Sequence, residues 1–272
     1  MTPWIAPDDL ALISADEQSW LAGVFERFGG FPNLEQVWQV MDEPWRDLDC
    51  DPEVMDDRIG AYYSHPVWLL NGLFIEQDPE SLENRRQFTD WVAQQNPRRV
   101  ADFGGGFGGL ARMIGEACPD ADVEVIEPHP HPAAIARTER TRNVRYSPGL
   151  DKDYDILIAT DVFEHVPDPL ALAAETAMAL KSGGRYLTAN CFRPVILCHL
   201  PQTFHFRFSW DKAMSAMGLV DEGKVGYGQI FVRQGDLNLD AARMIEERSK
   251  RLWRFTQHLP GRIAGPLSKA LV

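Results

Sequence analysis

Between Val100 and Gly109 the chain reads Val-Ala-Asp-Phe-Gly-Gly-Gly-Phe-Gly-Gly, with five glycines in the six positions 104–109. The run predicts a strand over 99–103, a tight turn, and a helix from about Leu110 to Ala117. Glycine lacks Cβ, so such a turn can take positive φ and let a ligand approach the backbone. The first N–H groups of the helix have no intrahelical partner and face the same space. Twenty-five residues after Asp102, the apolar stretch Val123-Glu124-Val125-Ile126 ends in Glu127, a carboxylate placed to accept from two ribose hydroxyls. A nucleoside-containing ligand is the first implication.

Two readings of the loop compete. Gly104-x-Gly106-x-x-Gly109 satisfies the dinucleotide fingerprint, in which a helix N-terminus holds a pyrophosphate. Asp102-x-Gly104-x-Gly106-x-Gly108 instead resembles the first motif of class I S-adenosylmethionine-dependent methyltransferases. A carboxylate at that position repels a pyrophosphate and suits the ammonium of a methionine moiety. Asp102 therefore favours the methyl donor over NAD. Three later segments match the same superfamily. Asp155 to Pro169 resembles the fourth strand with its Asp161-x-x-Glu164-His165 exit. Gly183 to Asn190 resembles the fifth strand, and His205 to Leu219 the approach to the sixth.

The resemblance covers about residues 96–235. It implies an α/β fold with a doubly wound, mostly parallel seven-stranded sheet and a helical N-terminal extension. The implied cofactor is S-adenosyl-L-methionine, leaving as S-adenosyl-L-homocysteine. Implied donor residues are Asp102, Gly104, Gly106, Gly108, Glu127 and Asp161, with Pro128 and His129 where the family packs the adenine. Relatives often carry an acid or amide after the third strand; this chain has Tyr146-Ser147-Pro148, so Ser147 or backbone groups would serve.

Residues 1–95 read as a region of short helices punctuated by Pro32, Pro44, Pro52, Pro66 and Pro79. It holds six of the eight tryptophans and the aromatic cluster Tyr62-Tyr63-Ser64-His65-Pro66-Val67-Trp68. That cluster suits either a lid over a ring-bearing acceptor or the region's own core. Residues 96–235 alternate strand and helix, predicting a parallel sheet covered on both faces. Strands are predicted near 99–103, 123–127, 144–146, 156–160 and 185–190, and helices near 110–117, 132–138 and 169–181. A hairpin over Val220–Val225 and Gly228–Val232 closes the sheet. In such sheets ligands sit beyond the carboxyl ends of the strands, where Asp102, Glu127 and Asp161 fall.

Residues 236–272 predict a basic amphipathic helix. From Arg248 onward there are six basic residues and no acid, against a net charge of −13 for the whole chain. Such a helix can lie on an anionic membrane, cover a partner or dock on the acidic body of the protein itself. The acidic balance argues against a nucleic-acid substrate, which normally requires a basic footprint. No basic-then-apolar leader or membrane-length apolar run is present, and Cys50, Cys118, Cys191 and Cys198 form no paired framework. A cytoplasmic protein is expected, with homo-oligomerisation open.

Methyl transfer from a sulfonium mainly needs the acceptor positioned and water excluded. A hydroxyl acceptor also benefits from a general base. His165 and His205 are the candidates, with Glu164 beside them and His65 behind. Cys191, Cys198, His199 and His205 match no usual zinc spacing, so no metal is expected. The acceptor is expected to be a small molecule or glycan component, uncharged or cationic, methylated on oxygen. An NAD-dependent oxidoreductase and a non-catalytic donor-binding partner protein are the alternatives.

Overall fold

In the computed structural model, described for residues 5–272, seven strands form one sheet: β1 (Arg99–Phe103), β2 (Asp122–Ile126), β3 (Val144–Ser147), β4 (Tyr154–Thr160), β5 (Leu180–Ala189), β6 (Leu219–Val225) and β7 (Gly228–Arg233). Their order is β3-β2-β1-β4-β5-β7-β6. β1 with β4, β2 with β3 and β4 with β5 pair in parallel, whereas β7 is antiparallel to both β5 and β6. β4 shows why the sheet is covered on both faces: Ile156, Leu157, Ile158 and Ala159 are all buried.

The predicted strands are all present. β5 begins at Leu180, five residues before the predicted start, and the preceding helix Pro169–Ala177 stops correspondingly early. Pairing of Tyr154 with Leu180 before an irregularity at Tyr154/Ile156 lets the Gly183-Gly184 stretch join the strand. The hairpin β6–β7 forms as predicted.

By its internal contacts the chain divides into two compact units interleaved in sequence. One gathers the chain through Asn96 with Gly104–Gly149 and Val195–Cys198; the other gathers Pro97–Phe103, Leu150–Pro194 and His199–Val272. The first unit holds α1 (Pro7–Leu10), α2 (Ala15–Phe28), α3 (Leu34–Asp47), α4 (Asp57–Tyr63), α5 (Val67–Ile75), α6 (Pro79–Gln94), α7 (Gly109–Ala117) and α8 (Pro132–Thr138). Their starts are written locally. Ser14 with Glu17 and Asn33 with Gln36 form capping boxes, and Asp78 caps α6 just before Pro79. Tyr62 is fully buried against Trp45, Tyr63 and Trp68, so this part of the aromatic cluster serves as core.

The second unit holds α9 (Pro169–Ala177), α10 (Trp210–Ala216), α11 (Leu239–Thr256) and α12 (Gly261–Leu271). The predicted basic helix is thus two helices, and the first starts well before Arg248. α11 packs on α9, α10 and the 3-10 turns of Pro201–Phe208. Its buried stripe is Ala242, Glu246, Ser249 and Thr256, while Phe255 is 76% exposed. No described helix is long and apolar enough to cross a membrane.

Candidate functional site

In the first unit, the glycine run forms a turn in which Gly104, Gly106 and Gly108 have φ of 69°, 50° and 71°. Glycine takes this left-handed region without the strain most side chains meet there, so it is favoured at these positions for backbone reasons alone. The Gly104 N–H donates to the Ile126 carbonyl at 2.8 Å, and the Tyr146 hydroxyl donates to the Gly106 carbonyl at 2.9 Å. Gly108 caps α7. A Cβ on Gly106 would meet nothing within 4 Å, so the backbone at the crest of the turn borders open space.

Glu127 follows β2 directly. Its carboxylate accepts from the His129 N–H at 3.3 Å and from the Gly106 N–H, which joins the predicted ribose acid to the predicted donor turn. Burial pushes its pKa above the ordinary carboxylate range, and those two N–H groups pull it partly back. Pro128 and His129 are exposed beside it. The Ser147 hydroxyl donates to the Gly149 carbonyl at 2.9 Å, closing its own turn. His131 caps α8, and its Nε2 lies 3.1 Å from Glu17.

The turn is braced from the N-terminal helices. Phe107 is buried, stands where a Cβ on Gly72 of α5 would be, and lies under the Arg137 guanidinium at 5.1 Å. Arg137 bonds Asp9 at 2.7 Å and pairs with Glu76, which also takes Arg112.

In the second unit, Asp102 is buried at the end of β1 in register with Ile158 of β4. Asp161 stands just past β4 with a φ of 53°, a left-handed conformation that Asp adopts more readily than most side chains. Its N–H donates to the Ala189 carbonyl at 2.7 Å, and its carboxylate accepts from the Tyr227 hydroxyl at 3.0 Å. Glu164 is completely buried in the short 3-10 turn Phe163–His165. One carboxylate oxygen accepts from the Cys191 N–H at 2.5 Å, while Oε2 is buried and has no hydrogen-bond partner among the described residues. Burial, then the Asp161 charge, pushes the Glu164 carboxyl well above the usual range.

His165 meets His199 edge to face at 4.8 Å between ring centroids, and the His199 Nδ1 is 2.8 Å from the Arg193 carbonyl. An open cleft lies at the carboxyl end of β5. Phe192, Trp210 and Tyr227 supply aromatic walls, and Arg193, Arg207 and Lys224 supply cations.

His205 is placed differently from the other candidates. It is 4% exposed, its Nδ1 lies 3.2 Å from the Ser249 hydroxyl of α11, and its buried Nε2 has no partner among the described residues. Burial depresses its pKa to about 4, with Glu246 opposing and Lys250 assisting. An imidazole that is neutral and walled in by α11 is poorly suited to exchange protons with an acceptor. The unfolded histidine binds a proton below about pH 6.5, and the folded one only near pH 4. This group therefore favours folding fully above pH 6.5, and the contribution is lost as pH falls through that window. His205→Gln is expected to remove up to about 3 kcal/mol of acid sensitivity between pH 6.5 and 4. Urea unfolding at several pH values would measure it.

Sequence reasoning singled out Asp102, the glycines, Glu127, Asp161, Glu164 and His165. It did not single out Tyr146, which ties the turn, or Tyr227, which ties Asp161. Tyr146 had a visible signal, since it lies in the strand predicted over 144–146, which pairs with Glu127's own. Tyr227 sits in a hairpin turn and had none. His199 was weighed only alongside cysteines, whereas it gathers with Glu164 and His165.

A family model described as a methyltransferase domain matches residues 74–213, just over half of the chain. No curated protein sequence matches. Among solved structures, an O-methyltransferase family protein from Burkholderia thailandensis is similar at 13% identity and a TM-score of 0.49, over 74% of this chain and 70% of that one. A S-adenosylmethionine-dependent methyltransferase from Mesorhizobium loti is 23% identical with a TM-score of 0.31, over 35% and 46%. The plantazolicin methyltransferase BpumL in complex with S-adenosylhomocysteine is 12% identical with a TM-score of 0.37, over 56% and 76%. The chain spans between 45% and 76% of the length of such structures.

Proposed function

Because the chain belongs to the methyltransferase-domain family, we propose that it moves a methyl group from S-adenosyl-L-methionine to an oxygen of a small-molecule or glycan acceptor. The observation that carries the donor half is the junction of Glu127 with the glycine turn. One carboxylate and the backbone of Gly106 meet at a crest that borders open space. In this reading Glu127 accepts from the ribose hydroxyls and the turn passes beneath the ligand. Asp102 faces the methionine ammonium, and Asp161 lies toward the methyl end. Pro128 and His129 flank the adenine.

The acceptor reading rests on the cleft at the end of β5. Its aromatic walls suit a ring, and Arg193, Arg207 and Lys224 suit an acidic substituent on it. This differs from the uncharged or cationic acceptor expected from overall charge, because the local lining outweighs the distant surface. Transfer is an in-line displacement. An acceptor oxygen lone pair forms the new C–O bond, the C–S bond breaks, and its electrons stay on sulfur to leave neutral S-adenosylhomocysteine. The acceptor's proton departs to a base or to water. The N-terminal helices hold the donor turn through Phe107 and Arg137.

Calorimetric titration of the full-length protein with S-adenosylhomocysteine and, separately, with NAD tests the donor assignment. One site for S-adenosylhomocysteine and none for NAD is expected. Binding of NAD alone would return the loop to its dinucleotide reading. Donor binding with no methyl transfer to any small phenolic, carboxylic or sugar acceptor would leave a donor-binding partner protein.

A further inference from the structure

Glu164, His165 and His199 each offer a ligand atom, and these atoms lie within 4.8 Å of one another. Two imidazoles and one carboxylate make the donor set that first-row transition dications prefer, as distinct from the all-oxygen sets of Mg²⁺ and Ca²⁺. We propose that Glu164, His165 and His199 bind a divalent transition-metal ion of the zinc or iron(II) class.

Two observations independent of the clustering support the site. The first is Glu164 itself. Its Oε2 is fully buried with no hydrogen-bond partner among the described residues, and a buried polar atom in that position is normally satisfied by a ligand, a water or an ion. The second is the hydrogen bond from His199 Nδ1 to the Arg193 carbonyl at 2.8 Å. Donation from Nδ1 puts the ring lone pair on Nε2, and a backbone carbonyl in this role is the usual outer partner of a metal-binding histidine.

The supporting segments are well placed for this task. Glu164 and His165 lie in one short turn. The Leu200 N–H donates to the Glu164 carbonyl at 2.8 Å, which pins the His199 segment to that turn. Neighbouring ligands around a tetrahedral ion at ordinary bond lengths sit about 3.4 Å apart, so binding would draw the three side chains together by about an ångström. Three protein ligands leave a further coordination position open, as in catalytic metal sites. Arg193, which holds His199, also lines the aromatic cleft. A metal with an open position beside that cleft could bind an acceptor oxygen and lower the pKa of its hydroxyl. That role rests on the methyl-transfer reading; metal binding does not.

The test uses untagged full-length protein, stripped with a chelator and then titrated with Co²⁺ while visible d–d absorption is recorded. Zn²⁺ and Mg²⁺ are added in competition. One equivalent of Co²⁺, intense visible bands, displacement by Zn²⁺ and indifference to Mg²⁺ are expected. His199→Gln and His165→Gln should each weaken binding at least tenfold with an unchanged circular dichroism spectrum. His165 is only half-buried, so its variant tests the site even if His199→Gln does not fold. Absence of stoichiometric binding to the folded wild type would overturn the proposal. So would undiminished binding in the folded histidine variants, or preference for Mg²⁺. The readout does not pass through methyl transfer, so failure here leaves the donor assignment standing.

Discussion

Replacing Glu127 with alanine is expected to weaken S-adenosylhomocysteine binding by about tenfold to a hundredfold, from the loss of charge-assisted hydrogen bonds of about 1.5–3 kcal/mol. The carboxylate already accepts from the Gly106 and His129 N–H groups, so it is oriented before any ligand arrives. Its remaining acceptor capacity is what two ribose hydroxyls would occupy. Alanine removes that capacity and also loosens the turn. Glu127→Gln keeps the shape and one acceptor oxygen, so it should lose less. The burial that raises the Glu127 pKa adds a further signature. As pH falls, this carboxyl protonates before an ordinary surface glutamate, and donor affinity should fall with it. Calorimetric titration of wild type and both variants across pH would read all three effects.

Replacing Arg137 with methionine is expected to destabilise the protein by about 3 kcal/mol, the lower end of the range for breaking a buried ion pair. Arg137 lies between two carboxylates. It bonds Asp9 through Nε at 2.9 Å and through its terminal nitrogen at 2.7 Å, and it pairs with Glu76. The Asp9 side chain is only 2% exposed, so without Arg137 it would keep one longer contact, to Arg140 at 3.4 Å. Glu76 would keep Arg112. Those residual partners place the estimate at the low end. Adding Asp9→Asn removes the stranded charge, so the double variant should recover part of the loss, the non-additivity expected of residues in one network. Urea unfolding of the three proteins measures it. Because the Arg137 guanidinium also lies over Phe107 in the glycine turn, the proposed donor assignment expects the variant to weaken S-adenosylhomocysteine binding as well.

The N-terminal region shows why tertiary information was needed. Its capping residues and prolines were readable one helix at a time, because a cap satisfies N–H groups only two or three residues away. What those helices do was not readable. Asp9, Glu76, Arg112 and Arg137 meet across more than a hundred residues of sequence, and single charges along a chain carry no mark of their partners. The His205 assignment has the same origin. Its neighbours in sequence said nothing about α11, whose Ser249 and buried stripe enclose it.

The sequence by itself determined the strand–turn–helix at 99–117, the acids at the strand ends and the hairpin that ends the sheet. Each follows from short-range chemistry: glycine where φ is positive, alternating strand and helix, and turn residues at fixed offsets. Only the tertiary structure decided that Tyr146 ties the glycine turn and that Tyr227 orients Asp161. It also decided that α11 walls in His205, and that His199 joins Glu164 and His165. Those are encounters between side chains far apart along the chain, set by packing, and packing has no local signature.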